Sequence, residues 1–444
     1  MKKVLTLLIS LLALVVLAAC GGDVEPGDLE IEFEIEQEYT EMEQSVEDNV
    51  IDAIPIAQVN QLTPEDFWYD FEFITRVLEE NFPFLGVVER LTGVSDPLET
   101  FRNHGLPEDV DTLHLTFASR IRSGFRMFGN IAHLELNPPW QWHWQQPWRN
   151  LSSPLPYISN YMGSTVSPSS GRGAFSQGFN RPLQSYSRII EEGRIALIMT
   201  PPEFFNNERM PPRVMQETQD FIREIQGYEH VIIDLRHIRG GWITNFLHAF
   251  IGPNISEPLS FYEFAFITDG EMAQRLHRDQ SVARPNQMDL FFVRNVVNAP
   301  LIPAELFVEQ HNLTNMNADD LENLAYGFLL ETFIQPTSGS LRLPLLADNI
   351  WLLIGPRNWS GAEWTGRIAK EAGFTLVGQQ ANGRIGGAGR LRFSLPRTGN
   401  AVGMDIFYIT DKTGRAMEEF PVEPHYFGAD ALHTVLGIIA ERSE

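Results

Sequence analysis

Three apolar runs limit what this chain can fold into. RIALIM from Arg194, HVIIDL from His230 and IWLLI from Ile350 are short, continuous and rich in β-branched residues, so they read as buried strands. A helical pattern near 214–226 lies between the first two. The third is followed by GAEWTGRIAKEAG and FTLVG, which read as helix and strand. From Arg194 onward the pattern is therefore α/β, and 43% hydrophobic residues in 444 suffice for a sizeable core. Residues 252–345 mix both patterns and give no order of elements.

Upstream the pattern is helical. Thr63-Pro64-Glu65-Asp66 combines a Thr N-cap, a Pro in the first turn and an acid at the third position. Phe67, Phe71, Ile74 and Leu78 then fall on one face. A second helix is expected over 111–128, so residues 62–135 form a small helical domain ahead of a catalytic domain over 136–444. The tryptophan- and proline-rich stretch 138–148 opens a long loop whose aromatics either pack onto the body or line a groove.

Acidic residues outnumber basic ones 58 to 33, a formal charge of -25 that repels phosphate backbones and excludes nucleic acid as a partner. Residues 21–61 hold no Lys or Arg, and their repeated Asp and Glu suit an extended linker over 20–61. Before it, Lys2 and Lys3 precede an apolar run from Val4 to Leu17, shorter than a membrane-spanning helix and closed by Leu-Ala-Ala-Cys-Gly. This resembles a bacterial lipoprotein signal. The resemblance implies removal of residues 1–19, acylation of Cys20 and tethering to a membrane outside the cytoplasm. Cys20 is the single Cys, so no disulfide and no cysteine-built metal site fits.

Three segments carry candidate chemistry. Asp234-Leu235-Arg236-His237-Ile238-Arg239-Gly240-Gly241 runs a strand into two glycines whose N–H groups suit a developing oxyanion, or a plain turn. In Asn358-Trp359-Ser360-Gly361-Ala362-Glu363, Ser360 stands between strand and helix, as an N-cap or as a nucleophile at the positive end of a helix. The third runs from Arg415 to Pro424. Together and in this order they resemble the C-terminal-processing (tail-specific) serine peptidase superfamily. The family's DLRxNxGG pattern is matched except for Ile238. Its Ser-Ala-x-Glu is similar to Ser360–Glu363, and its late acidic motif is echoed from Glu418 to His425. FGNIAHLEL looks like its Asp-Gly-His segment, with Ile131 in place of Asp.

The resemblance implies a ClpP/crotonase-like ββα spiral core behind the helical domain. It implies Ser360 as nucleophile, an oxyanion hole from the Gly241 and Gly361 N–H groups, no cofactor or metal, and peptides or unfolded protein tails as substrate. The dyad Lys of many relatives is missing: its window holds Arg384, and Lys370 and Lys412 are not placed for the task. The tricorn-like branch uses Ser, His and Glu, and the matching segments supply His133 and Glu418, with Glu419 one residue away and His237 and His425 in reserve. About 60 residues separate His133 from the strand at Arg194, too few for the PDZ module many relatives carry. The alternative function is a degenerate relative that binds peptides without turnover.

The anchor is checked by fractionation. Cys20→Ser is expected to move the protein from the membrane pellet to the soluble fraction, since stable tethering takes two acyl chains. A wild-type protein equally soluble without detergent would refute it.

Overall fold

The computed structural model describes residues 62–442 apart from 107–112, 138–186, 207–209, 283–291, 297–299, 338–341, 344–348 and 384–388. Cys20, the 20–61 linker, the 138–148 loop and Arg384 lie outside the described residues. The described residues all fall within one compact unit.

Four helices come first: α1 (Pro64–Asn81), α2 (Leu85–Thr92), α3 (Pro97–His104) and α4 (Leu113–Met127). The start of α1 is the one the sequence announces. The Thr63 N–H donates to Asp66 Oδ2 at 2.9 Å, and Phe67, Phe71, Ile74 and Leu78 are all buried. The pair α2 and α3 was not foreseen. Next come β1 (Glu135–Asn137), β2 (Arg188–Glu191), β3 (Ile195–Met199), α5 (Pro212–Glu224) and β4 (His230–Asp234). The stretch without a readable order holds β5 (Leu259–Ile267), α6 (Glu271–Val282), β6 (Phe292–Val296), α7 (Ala304–His311) and β7 (Tyr326–Ile334). The chain closes with β8 (Ile350–Ile354), α8 (Gly361–Glu371), β9 (Thr375–Gly378), β10 (Arg390–Ser394), β11 (Ala401–Asp405), β12 (Tyr408–Thr410), β13 (Tyr426–Phe427) and α9 (Ala431–Glu441).

The expected α/β architecture with a helical start is present, in three sheets. The central one runs β13-β9-β8-β4-β3-β2, parallel from β13 to β3, with β2 antiparallel at the edge. Its β4 and β8 are buried along their whole length, as strands covered on both faces must be. A second sheet, β12-β5-β7-β6, is antiparallel and takes its strands other than β12 from 252–345. The third, β1-β11-β10, is a small antiparallel sheet whose first strand follows directly on the helical segment.

Helices and sheets share one hydrophobic cluster, from Phe67 and Phe101 to Ile233, Ile354 and Met404. One buried carboxylate ties them by hydrogen bonds as well. Asp70 on α1, fully buried, accepts the N–H groups of Arg397 and Thr398 at 2.9 and 2.7 Å, in the turn between β10 and β11. Burial pushes its carboxyl above the usual range, against the pull of those hydrogen bonds. Asp70→Ala is expected to cost about 3 kcal/mol in chemical denaturation, because it leaves two buried donors without an acceptor. A loss below about 1 kcal/mol would show that water reaches that turn.

Candidate active site

The parallel pairing of β4 and β8 sets the first half of the site. Asp234 lies opposite Leu353, so both strands leave the sheet at the same end and their following loops run side by side. Binding sites in α/β sheets form at such carboxyl ends. The two loops are stitched by Asn358, which is fully buried. Its Nδ2 donates to the Leu235 and Ile238 carbonyls at 2.6 and 2.7 Å, and its Oδ1 accepts the Gly355 N–H at 2.8 Å. The Trp359 N–H donates to the Arg239 carbonyl at 3.0 Å.

Ser360 follows in a left-handed conformation, φ 53 and ψ -127, and α8 begins at the next residue. Ser360 occupies the N-cap position, but its hydroxyl makes no capping hydrogen bond to the helix. The turn fits only against glycine. A Cβ on Gly240 would stand 2.6 Å from the Trp359 carbonyl oxygen and 3.0 Å from Ser360 Cβ. One on Gly361 would meet the Gly241 carbonyl. Gly241, at φ 124, likewise has no room for a side chain against the Phe205 carbonyl. Gly361 is the first residue of α8, where an N–H has no partner within the helix.

The second half comes from the small sheet. β1 pairs with β11 so that Glu135 lies opposite Gly403, and the same antiparallel step places His133 level with Asp405. His133 Nδ1 and Asp405 Oδ2 are 2.6 Å apart. Arg390 is the cross-strand partner of Asp405 on β10, so His133, Asp405 and Arg390 form a row. Arg390, buried, donates to the His133 carbonyl at 2.8 Å and to Glu135 at 2.6 Å.

The halves meet at Trp359, whose indole stacks on the His133 ring at 5.6 Å and 14°. Ser360 and His133 thus flank the same tryptophan. Among the described residues they share no hydrogen bond, and such bonds often tighten only with substrate bound. Burial disfavours a charged His133, but the Asp405 carboxylate and its hydrogen bond outweigh that, with Glu418 adding to them and Arg390 opposing. The pKa therefore lies above its ordinary value.

Glu418 is buried, and its charge acts on the His133 ring. Its neighbour Glu419 faces elsewhere, taking Arg90 of α2 in a pair of 2.9 Å. The reserve histidines have other work: His237 Nε2 lies 2.7 Å from the Thr200 carbonyl, and His425 Nδ1 accepts the Leu376 N–H at 2.9 Å. Lys370 bonds the Glu423 carbonyl at 3.0 Å and Lys412 pairs with Glu371 at 3.1 Å, both on exposed surface.

Asp405 and Arg390 escaped sequence reasoning. Glu135, two residues past His133, was the nearest signal, since an acid there calls for a basic partner across the sheet. Asn358 was quoted with the serine segment, but its role needs both loops in place. Asn358→Ala is expected to cost about 3 kcal/mol, leaving one donor and two acceptors unpaired. It should also slow labelling of Ser360 by a fluorophosphonate at temperatures where the fold is intact. Unchanged labelling would show that the serine turn holds itself.

No family model matches the chain, and no curated protein matches it. Among solved structures, a candidate peptidase from Parabacteroides merdae is 10% identical, over 85% of this chain and 97% of its own, with a TM-score of 0.45. A lipoprotein from Streptococcus agalactiae is 13% identical over 86% and 98%, with a TM-score of 0.38. The photosystem II D1 C-terminal processing protease is 10% identical over 84% and 94%, also at 0.38. Overlaps as loose as these say nothing of activity.

Proposed function

We propose that this protein is an extracytoplasmic serine peptidase, lipid-anchored through Cys20. It hydrolyses peptides or unstructured protein tails through an acyl-Ser360 intermediate. The observation that carries the reading is the concentration of left-handed backbone at two places. Of the six described non-glycine residues with positive φ, four are Ser360, His133, its neighbour Ala132 and Asn130 at the start of the same short turn. Backbone of this kind costs on the order of 1–3 kcal/mol per residue and persists where the surroundings over-determine it.

In this mechanism His133 takes the Ser360 proton on Nε2 as the hydroxyl oxygen bonds to the scissile carbonyl carbon. The Gly241 and Gly361 N–H groups receive the oxyanion, and the imidazolium then protonates the leaving amine. Water repeats the sequence to release the acyl group. The negative charge of Glu418 favours the imidazolium.

Because the His133 pKa is raised, the base is protonated below a pH above 6.5, the ordinary value. kcat/KM on a peptide library is expected to rise through one deprotonation at that higher pH and to level off beyond it. Ser360→Ala should abolish both turnover and fluorophosphonate labelling, and His133→Ala should lower kcat at least about 10²-fold. Undiminished turnover by Ser360→Ala would end the assignment. Peptide binding without any labelling of the wild type would favour a peptide-binding module instead.

A further inference from the structure

We infer that Asp405, steadied by Arg390, is the positioning residue that fixes the tautomer of His133, and that Glu418 supplies charge without setting the tautomer. The inference rests on the reading of Ser360 and His133 above. A histidine that must accept a proton on Nε2 needs its other proton on Nδ1, where an acceptor has to hold it. Asp405 Oδ2, 2.6 Å from Nδ1, is that acceptor.

The row across the sheet explains why the acceptor cannot drift. Asp405 is almost wholly buried at the end of β11, and Arg390 stands 3.5 Å from its other oxygen, Oδ1. The same guanidinium grips the His133 carbonyl and Glu135, so ring, backbone and acid are held by one cation. Gly403 makes the space: a Cβ there would lie 2.9 Å from Arg390 Nη2 and 3.2 Å from Glu135 Oε1. Trp359 covers one face of the imidazole. Among the described residues the charged groups about the ring are therefore Asp405 on β11, Arg390 on β10, Glu135 on β1 and Glu418 after β12.

Arg390 also dictates what an amide would do. In Asp405→Asn the amide oxygen would stay on the Arg390 side, turning the NH2 toward Nδ1. That nitrogen would then have to accept, and the ring proton would move to Nε2, the wrong place for a base.

The test reads the ring directly, by nitrogen-15 histidine NMR in the inactive Ser360→Ala background above the His133 pKa. The expected result is an Nδ1–H tautomer that survives Glu418→Gln and is lost in Asp405→Asn. In the active protein, Asp405→Asn should lower kcat by roughly 10²–10⁴-fold with KM nearly unchanged, and should move the kcat/KM inflection to lower pH. A merely structural role would not move the tautomer or the inflection.

Loss of the Nδ1–H form in Glu418→Gln, or its retention in a folded Asp405→Asn, would overturn the inference. Should Asp405→Asn not fold, the Glu418→Gln spectrum decides alone: retention supports Asp405 and loss overturns it. Absence of fluorophosphonate labelling in the wild type would instead count against the peptidase reading, while the histidine spectrum still reports on Asp405.

Discussion

Two strands with no exposed residue govern this structure. His230–Asp234 and Ile350–Ile354 cannot turn their backbone N–H and C=O groups to water, so each must pair on both edges, and they pair with each other in parallel. Parallel neighbours deliver their next residues to the same end of the sheet, where two loops compete for one space. Glycine at 240, 241 and 361 relieves the crowding, and Asn358 satisfies the carbonyls that the turns leave unpaired. Ser360 takes its unusual backbone because helix α8 must start at once, with no room for a wider turn. Strand burial thus leads through loop crowding to a presented hydroxyl.

What could be read from the sequence divides along the range of the interaction. The capping of α1, the buried strands and the strand–Ser–helix step are local, encoded in residues within a few positions of one another, and they appear where the sequence puts them. The antiparallel sheet over 252–345 was illegible because its long strands β5 and β7 carry Glu263 and Glu331 among their apolar residues, and their pairing is set by partners far along the chain. Asp405 is the clearest case. It ends the unremarkable run Ala-Val-Gly-Met-Asp, and its importance comes from a register that joins residues 133 and 405, separated by 272 positions.

Electrostatics at the site depend on which way two adjacent acids turn. Glu418 and Glu419 are equivalent by composition and nearly so by motif. Arg90 holds Glu419 together with the buried Asp320, to which Tyr408 also donates, while the charge that acts on His133 is that of Glu418. With Asp405 it surrounds the imidazole with more negative than positive charge. Arg390 offsets part of this, which keeps the ring basic enough to take a proton and still able to give it back.

The helical segment is therefore part of the site's construction, although the sequence suggests a separate domain. His133 follows α4 by a few residues, Arg90 on α2 fixes the orientation of Glu419, and Asp70 on α1 holds the turn that joins β10 to β11. Remove the helices and β11 loses that hold on its turn, while β1, its partner strand, loses the helix it follows. The register that sets His133 level with Asp405 is then left to the three-residue pairing of β1 with β11 and to Arg390. A chain that draws its base and acid from one sheet and its nucleophile from another can assemble them only if one core spans both, as the shared hydrophobic cluster does.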